Sequence, residues 1–188
     1  MIIGLSGYAR SGKDTAADRL VNNHGFVRYS FAAPMKEAMY ILNPIVGSDG
    51  IGPFKYKNLV DTYGLDKAKE SYPEIRRLLQ VFGTEVGRDM FGANFWVDLA
   101  LNKIDVDKAV ISDVRFKNEA DAIKKSGGQV WRINRHGIGP VTNHSSEIDL
   151  DDYGFDHIID NDYSVSDLNN MVDMLLSKNN DKKNNLFN

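Results

Sequence analysis

The chain has 188 residues, of which 42% are hydrophobic and 26% charged, so it can bury one substantial core and its length favours a single domain. Its formal net charge of −3 argues against an extended nucleic-acid surface, because such surfaces usually carry a strongly basic stripe. A small phosphorylated ligand, which needs only a few local cations, remains compatible with this charge.

The chain contains no cysteine, which excludes disulfides, a cysteine–zinc site and thiol catalysis. No apolar run reaches the length of a transmembrane helix, and the first residues lack the pattern of a secretory signal. We therefore expect a cytoplasmic protein without a membrane partner.

Short apolar segments alternate with helical patterns along the chain. The predicted strands are 1–6, 26–31, 109–113, 129–133 and 155–159. The predicted helices are 13–23, 34–42, 59–70, 73–90, 95–104, 118–126 and 165–176. This alternation predicts an α/β fold of three layers, in which a mostly parallel five-stranded sheet carries helices on both faces.

The first strand leads into Gly-Tyr-Ala-Arg-Ser-Gly-Lys-Asp-Thr at residues 7–15, where Gly7, Gly12 and Lys13 fit G-x-x-x-x-G-K. Small residues at this spacing let consecutive backbone N–H groups curl around nucleotide phosphates, and the lysine adds a mobile positive charge. The helix that follows points its positive end at the same anion. The pattern therefore predicts a phosphate-binding loop.

Asp14 stands where a Ser or Thr usually follows the lysine, and Thr15 comes one place later. An unpaired carboxylate about 4 Å from a phosphate charge costs roughly 4 kcal/mol at an effective dielectric of about 20. We therefore expect Asp14 to face magnesium-bound water, Arg10 or the acceptor. The alternative is an acidic residue that only favours the helix dipole.

The interval between the second and third strands is far longer than a simple crossover needs. We expect a helical insertion at 34–108 within a single domain at 1–177, with a glycine-rich connector at 44–54. A surface excursion without function is the alternative for this insertion. The lysine- and asparagine-rich tail at 178–188 is expected to fray.

Several pieces of the sequence together resemble the phage-type deoxynucleoside monophosphate kinases. The pieces are residues 7–15, Tyr-Ser-Phe-Ala-Ala-Pro-Met-Lys at 29–36, Arg-Arg-Leu-Leu-Gln-Val-Phe-Gly-Thr-Glu at 76–85, Trp96, Asp-Val-Arg at 113–115, and Asn-Glu at 118–119. The resemblance implies the P-loop NTPase fold and transfer of the γ-phosphoryl group of ATP to a deoxynucleoside 5′-monophosphate, with Mg²⁺, in a host cytoplasm if the chain is phage-encoded.

The resemblance also implies roles on the donor side. It assigns catalysis to Lys13, Arg10, Arg115 and Asp113, and ATP binding to Gly7, Ser11, Gly12, Lys13, Asp14, Thr15 and Arg135. Magnesium would be held by Asp14 and Thr15, partly through water. Asp113 ends an apolar strand as a Walker-B acid does, or else it caps the next helix.

On the acceptor side, the resemblance assigns substrate binding to Lys36, Arg76, Arg77, Gln80, Gly83, Thr84, Trp96, Asp113 and Glu119. Arg76 and Arg77 point about 100° apart on a helix, so one of them is expected to grip the acceptor phosphate. Trp96 either stacks on the acceptor base or belongs to the core. The polar cluster at 144–147 is expected to close near the nucleotide.

Two other functions stay open on the sequence alone. One is a different small-molecule kinase of the same architecture, acting on dephospho-coenzyme A or a nucleoside, because fold does not fix the acceptor. The other is an ATP-binding regulatory switch that moves a partner. A homodimer is one option for the oligomeric state, which the sequence leaves undecided.

Overall fold

The computed structural model describes residues 1–140 and 145–184, and describes side chains no further than residue 178. The chain divides into two compact units. The sheet unit comprises Met1–Ser30 and Ile104–Asn188, and the helical unit comprises Phe31–Lys103. The predicted limits of the single domain and of its insertion stay predictions.

The sheet unit is built on five parallel strands, numbered along the whole chain. They are β1 (Ile2–Ser6), β2 (Val27–Tyr29), β5 (Ala109–Ile111), β6 (Gln129–Asn134) and β7 (His157–Asp160). Their order is β2-β5-β1-β6-β7, with Ile3 opposite Val110 on one side and Gln129 on the other. The strand order reverses direction at β1, and ligands of open α/β sheets bind beyond the carboxyl ends of the strands at such a point.

Helices cover both faces of this sheet. They are α1 (Lys13–His24), α7 (Lys117–Lys125), the short α8 (Ser145–Ile148) and α9 (Val165–Asn184). Ile3 and Leu5 share a buried core with residues of α1 and α9. Gly4 points to the opposite face, where a Cβ would lie 2.5 Å from Ile123 of α7. The three-layer α/β fold expected from the sequence is therefore confirmed.

The helical unit consists of short helices and one hairpin. Its elements are α2 (Ala33–Leu42), β3 (Ile45–Ser48), β4 (Pro53–Lys55), α3 (Tyr56–Tyr63), α4 (Leu65–Ser71), α5 (Pro73–Val81), a π-helix (Phe82–Met90) and α6 (Phe95–Leu101). Its own core contains Met39, Val46, Tyr56, Leu59, Ala68, Ile75 and Leu79. Each unit therefore buries an apolar cluster of its own.

Two predicted helices of this unit differ from the structure. The helix expected at 59–70 is two helices, because Gly64 takes a φ of 77° and a ψ of 154° between them. The helix expected at 73–90 changes from α to π geometry at Phe82. There the carbonyl of Gly83 accepts a hydrogen bond from the indole of Trp96 at 2.8 Å, so an outside donor competes for a helical carbonyl.

The segment expected to be a connector at 44–54 contains the paired strands β3 and β4. Asp49 stabilises the turn by accepting hydrogen bonds from the backbone N–H groups of Ile51 and Gly52, at 2.9 and 3.1 Å. Of the tail expected at 178–188, the backbone is described as far as Asn184 and is helical, and the remaining residues lie outside the described part of the chain. The expected fraying of this tail stays a prediction.

Candidate active site

The turn between β1 and α1 has the backbone geometry of an anion-binding nest. Gly7, Arg10 and Gly12 all have positive φ angles, of 150°, 67° and 105°. A positive φ is uncommon for an arginine, so the surrounding structure must hold Arg10 in this conformation. Left-handed residues in such a turn can bring neighbouring N–H groups into one concavity, which suits a phosphate.

The loop is packed so tightly that its glycines cannot be replaced. A Cβ on Gly7 would lie 2.4 Å from the carbonyl oxygen of Ile133 and 2.5 Å from the Ser11 hydroxyl. Ser11 is itself buried, and its hydroxyl has no hydrogen-bond partner among the described residues. Gly7 is therefore closely packed between the backbone of Ile133 and the side chain of Ser11.

Lys13 lies at the head of α1, and its ammonium group donates a hydrogen bond to the carbonyl of Tyr8 at 3.2 Å. Burial lowers the pKa of this ammonium, while the nearby carboxylate of Asp14 acts in the opposite direction. Arg115 lowers the pKa further, and Glu147 and Asp113 raise it. Lys13 is thus a partly desolvated cation that an anionic ligand would stabilise.

Asp14 is 75% exposed and pairs with Arg28 of β2, at 2.9 Å. Arg28 also contacts Asp18 at 3.1 Å. The carboxylate of Asp14 therefore has Arg28 as its compensating cation, whereas the expected partners were magnesium-bound water, Arg10 or the acceptor. Its role as a magnesium ligand stays a prediction, as does that of the half-buried Thr15.

Asp113 follows β5 and accepts a hydrogen bond from the Ser30 hydroxyl at 2.6 Å. Helix α7 begins at Lys117, whose N–H is bound by Asp149 at 2.7 Å. Glu119 is buried and accepts hydrogen bonds from the N–H groups of Arg115 and Phe116, at 2.8 and 3.1 Å. Glu119 therefore binds backbone N–H groups at the start of this helix, and both readings of Asp113, as a Walker-B acid or as a cap, stay predictions.

Arg115 forms an ion pair with Glu147 of α8, with 2.9 Å between Nη1 and Oε1. Both residues line a cavity together with the start of the phosphate loop, including Gly7 and Tyr8. Of the cluster expected at 144–147, His144 lies outside the described residues, whereas Ser146 also lines this cavity.

Arg132 is a residue of the site that the sequence reading missed. It is buried in β6, its guanidinium lies 4.5 Å from the centre of the Tyr8 ring, and its Nη2 donates to Asp151 at 3.1 Å. Tyr8 donates to the same carboxylate at 2.6 Å. An arginine between the apolar residues Trp131 and Ile133 was the available signal, because a buried guanidinium needs specific partners.

In the helical unit, Arg77 is held by Glu74 through two hydrogen bonds of 2.8 and 2.7 Å. No carboxylate of the described residues pairs with Arg76, which is exposed on α5 together with Gln80. Arg76 is therefore the arginine of the two that is available to a ligand. Lys36 on α2 is half-buried and lowers the pKa of Asp66, after the larger effect of Lys69.

Trp96 is only 7% exposed and packs against Phe82 and Phe95, with ring centres 5.7 and 4.8 Å away. Its indole lies against the π-helix, where a Cβ on Gly87 would come within 1.9 Å of Nε1. Of the two roles considered for Trp96, this geometry favours the core.

Two other residues expected to bind ligand are exposed. Thr84 lies on the π-helix, and Arg135 directly follows β6.

Within the described ranges, no three His, Asp or Glu side chains are grouped to hold a metal ion. In the same part of the chain, no helix combines the length and apolarity needed to cross a bilayer.

Comparison with known proteins assigns the chain to a family. The family model described as deoxynucleotide monophosphate kinase matches residues 1–67 and 43–172. A provisionally named deoxynucleotide monophosphate kinase of Acanthamoeba polyphaga mimivirus is 36% identical over 164 residues, which cover 80% of this chain and 82% of the relative. The deoxynucleotide monophosphate kinase of Escherichia phage RB69 is 28% identical, over 93% of this chain and 99% of that protein.

The enzyme of Enterobacteria phage T4 that bears the same name is 25% identical, over 89% of this chain and 95% of its own. The shikimate kinase structure from Aquifex aeolicus has a TM-score of 0.45 at 14% identity, over 95% of this chain and 98% of that one, which is too low to inform function. The chain belongs to the deoxynucleotide monophosphate kinase family.

Proposed function

We propose that this kinase transfers the γ-phosphoryl group of ATP to the 5′-phosphate of a deoxynucleoside monophosphate. An oxygen of the acceptor phosphate forms a bond to the γ-phosphorus, and the bond to the β–γ bridging oxygen breaks. That oxygen keeps the electron pair, so the products are ADP and a deoxynucleoside diphosphate. The observation that supports this most is the turn of positive-φ residues that leads to the half-buried cation Lys13.

The donor side of the proposal rests on residues of the sheet unit. Backbone N–H groups of residues 10–15 cradle the phosphates of ATP, and Lys13 follows the transferring group. Arg115, held beside Lys13 by Glu147, supplies positive charge as the bond to the leaving oxygen breaks. Arg10 and Arg135 are both exposed. Arg10 would add to the same positive field, and Arg135 would contact the donor base.

Magnesium fits the oxygen donors at this edge of the sheet. Asp113 offers a carboxylate fixed by Ser30, and Thr15 offers a hydroxyl on the first turn of α1. Mg²⁺ bound to a nucleotide usually needs only one or two protein oxygens, with water and phosphate completing its shell. The metal would supply neutralisation of phosphate charge. Asp14 is the weaker ligand, because Arg28 already binds its carboxylate.

The acceptor side of the proposal rests on the helical unit. Arg76 grips the acceptor phosphate, since its planar guanidinium can form paired hydrogen bonds with phosphate oxygens. Gln80 follows by one helical turn and Thr84 by two, so both can contribute to the same surface. Lys36 adds positive charge on α2. From the viral relatives we also propose that the kinase acts in the cytoplasm of an infected host.

A coupled assay of ADP release tests the proposed reaction. The purified chain is supplied with ATP, Mg²⁺ and, one at a time, the four common deoxynucleoside monophosphates, their ribose counterparts, a nucleoside and dephospho-coenzyme A. We expect turnover with at least one deoxynucleoside monophosphate and formation of its diphosphate. Turnover with only the nucleoside or dephospho-coenzyme A, or slow hydrolysis that no acceptor accelerates, contradicts the proposal.

A further inference from the structure

Asn161 is a buried amide that contacts the phosphate loop from the far edge of the sheet. It directly follows β7, and only 7% of the residue is exposed. Its backbone N–H donates to the carbonyl of Asn134 at 2.8 Å, which ties it to β6. Its side-chain Nδ2 donates to the carbonyl of Ser11, also at 2.8 Å and away from solvent.

The bond to Ser11 fixes the direction of the next backbone N–H group. A trans peptide is planar, so the carbonyl of Ser11 and the N–H of Gly12 point in opposite directions. Asn161 holds the carbonyl towards the interior of the sheet unit. The N–H of Gly12 is therefore directed to the other side of this peptide, away from Asn161.

Close packing keeps this peptide from rotating. A Cβ on Gly12 would lie 2.4 Å from Nδ2 of Asn161 and 3.2 Å from Leu168 of α9. The Ser11 hydroxyl has no partner among the described residues, so it does not fix the same peptide. The side chain of Asn161 therefore packs directly against Gly12. This position requires glycine for two reasons, because a Cβ would overlap Asn161 and because φ is 105°.

We propose that Asn161 is a positioning residue for the donor site, which pre-orients the Gly12 N–H group towards the phosphates of ATP. The inference rests on the proposed binding of ATP by this loop. A donor that is oriented before binding costs less to order when the ligand arrives. The contacts of Asn161 described above are with Ser11, Gly12 and Asn134, none of which is proposed to bind the acceptor, so its loss is expected to act on ATP alone.

The test compares Asn161→Ala with Ser164→Ala in the full chain. Ser164 precedes α9 and accepts a hydrogen bond from the N–H of Asp167 at 3.2 Å, so its loss weakens the same region without touching the phosphate loop. We expect Asn161→Ala to weaken ATP binding in calorimetry about tenfold, the value of one buried hydrogen bond. The KM for the acceptor should stay within about twofold, and Ser164→Ala should change neither constant by more.

Two results overturn the inference: ATP affinity within about twofold of wild type in Asn161→Ala, or an equal loss of affinity in Ser164→Ala at the same thermal midpoint. If Asn161→Ala does not fold, Asn161→Ser leaves a smaller cavity and a hydroxyl too short to reach Ser11, and the same expectation applies. Wild-type chain without any ATP affinity would instead contradict the proposed function, and the inference with it.

Discussion

Nη1 of Arg115 lies 2.9 Å from Oε1 of Glu147, and both charges are close enough to Lys13 to alter its pKa. The glutamate is only 17% exposed, so the arginine is held by a partly buried partner instead of moving freely in solvent. This relationship places a second cation next to the lysine of the phosphate loop. Such a cation in cis can neutralise charge that develops during phosphoryl transfer.

Arg115→Ala should lower kcat by at least about 100-fold and leave the KM for ATP within about threefold, because the arginine would act mainly in the transition state. Steady-state kinetics in the coupled assay measure both constants. Lys117→Ala is the matched control, since Lys117 is an exposed cation two residues away that pairs with Asp152 at 2.8 Å. A kcat close to wild type in a folded Arg115→Ala protein would exclude this role.

Arg76→Ala should raise the KM for the deoxynucleoside monophosphate about tenfold or more, because a charge-assisted bidentate contact would be lost. Arg77→Ala is the matched control. It should change that KM by less than about twofold, because the Arg77 guanidinium already donates two hydrogen bonds to Glu74. Initial rates at varied acceptor concentration distinguish the two variants. A larger increase of the acceptor KM in Arg77→Ala than in Arg76→Ala would indicate that Arg77 binds the acceptor phosphate.

Gly87→Ala should lower the free energy of unfolding by about 1–3 kcal/mol, because the new methyl group would overlap the Trp96 indole. Urea unfolding followed by linear extrapolation measures this change. Gly154→Ala is the control, since no described atom lies within 4 Å of the Cβ it would add. Equal stability of the two variants would show that Trp96 can move away from the π-helix at little cost.

Asp173 of α9 should make stability depend on acid pH. Arg19 and then His24 bind this carboxylate, at 2.6 and 2.7 Å, and lower its pKa from 3.8 to about 2. The folded state therefore binds fewer protons than the unfolded state between these values. The stabilisation is fully present above a pH of 3.8 and is lost as the pH falls towards about 2.

Asp173→Asn should accordingly be less stable than wild type at about pH 6, and the difference should shrink at about pH 3 and below. Urea unfolding at the two pH values measures it. Asp66→Asn is the control, because its carboxylate is 93% exposed and its pair with Lys69 is open to solvent screening. A difference between wild type and Asp173→Asn that does not change with pH would show that the carboxylate charge is not the cause.

The sheet unit was largely predictable from the sequence, because its strands are short apolar runs and its loop has a specific glycine spacing. The helical unit was less predictable from the sequence. Gly64 divides a segment whose apolar pattern is continuous. The π-helix contacts Trp96 of the following helix, α6, at Gly83 and Gly87. Side-chain contacts of this kind have no signature in local periodicity.

The candidate site was predictable where backbone geometry dictates residue type, as at Gly7, Gly12 and Lys13. The partners of those residues were not, since they come from distant strands. Asn161 reaches Ser11 across 150 residues of sequence, and Arg132 meets Asp151 only through the fold. A single asparagine after an apolar strand is common, so nothing in its local sequence distinguished it.

The loop at residues 7–15 is proposed to hold the phosphates of ATP through Lys13, and the other roles proposed for the site depend on this contact. Titration calorimetry with ATP and Mg²⁺ tests it on wild type, Lys13→Ala and Lys125→Ala, an exposed lysine on α7 that serves as control. We expect binding to wild type and to Lys125→Ala, and at least about 100-fold weaker binding to folded Lys13→Ala. Undetectable ATP binding to wild type, or equal affinity after Lys13→Ala, would contradict the account.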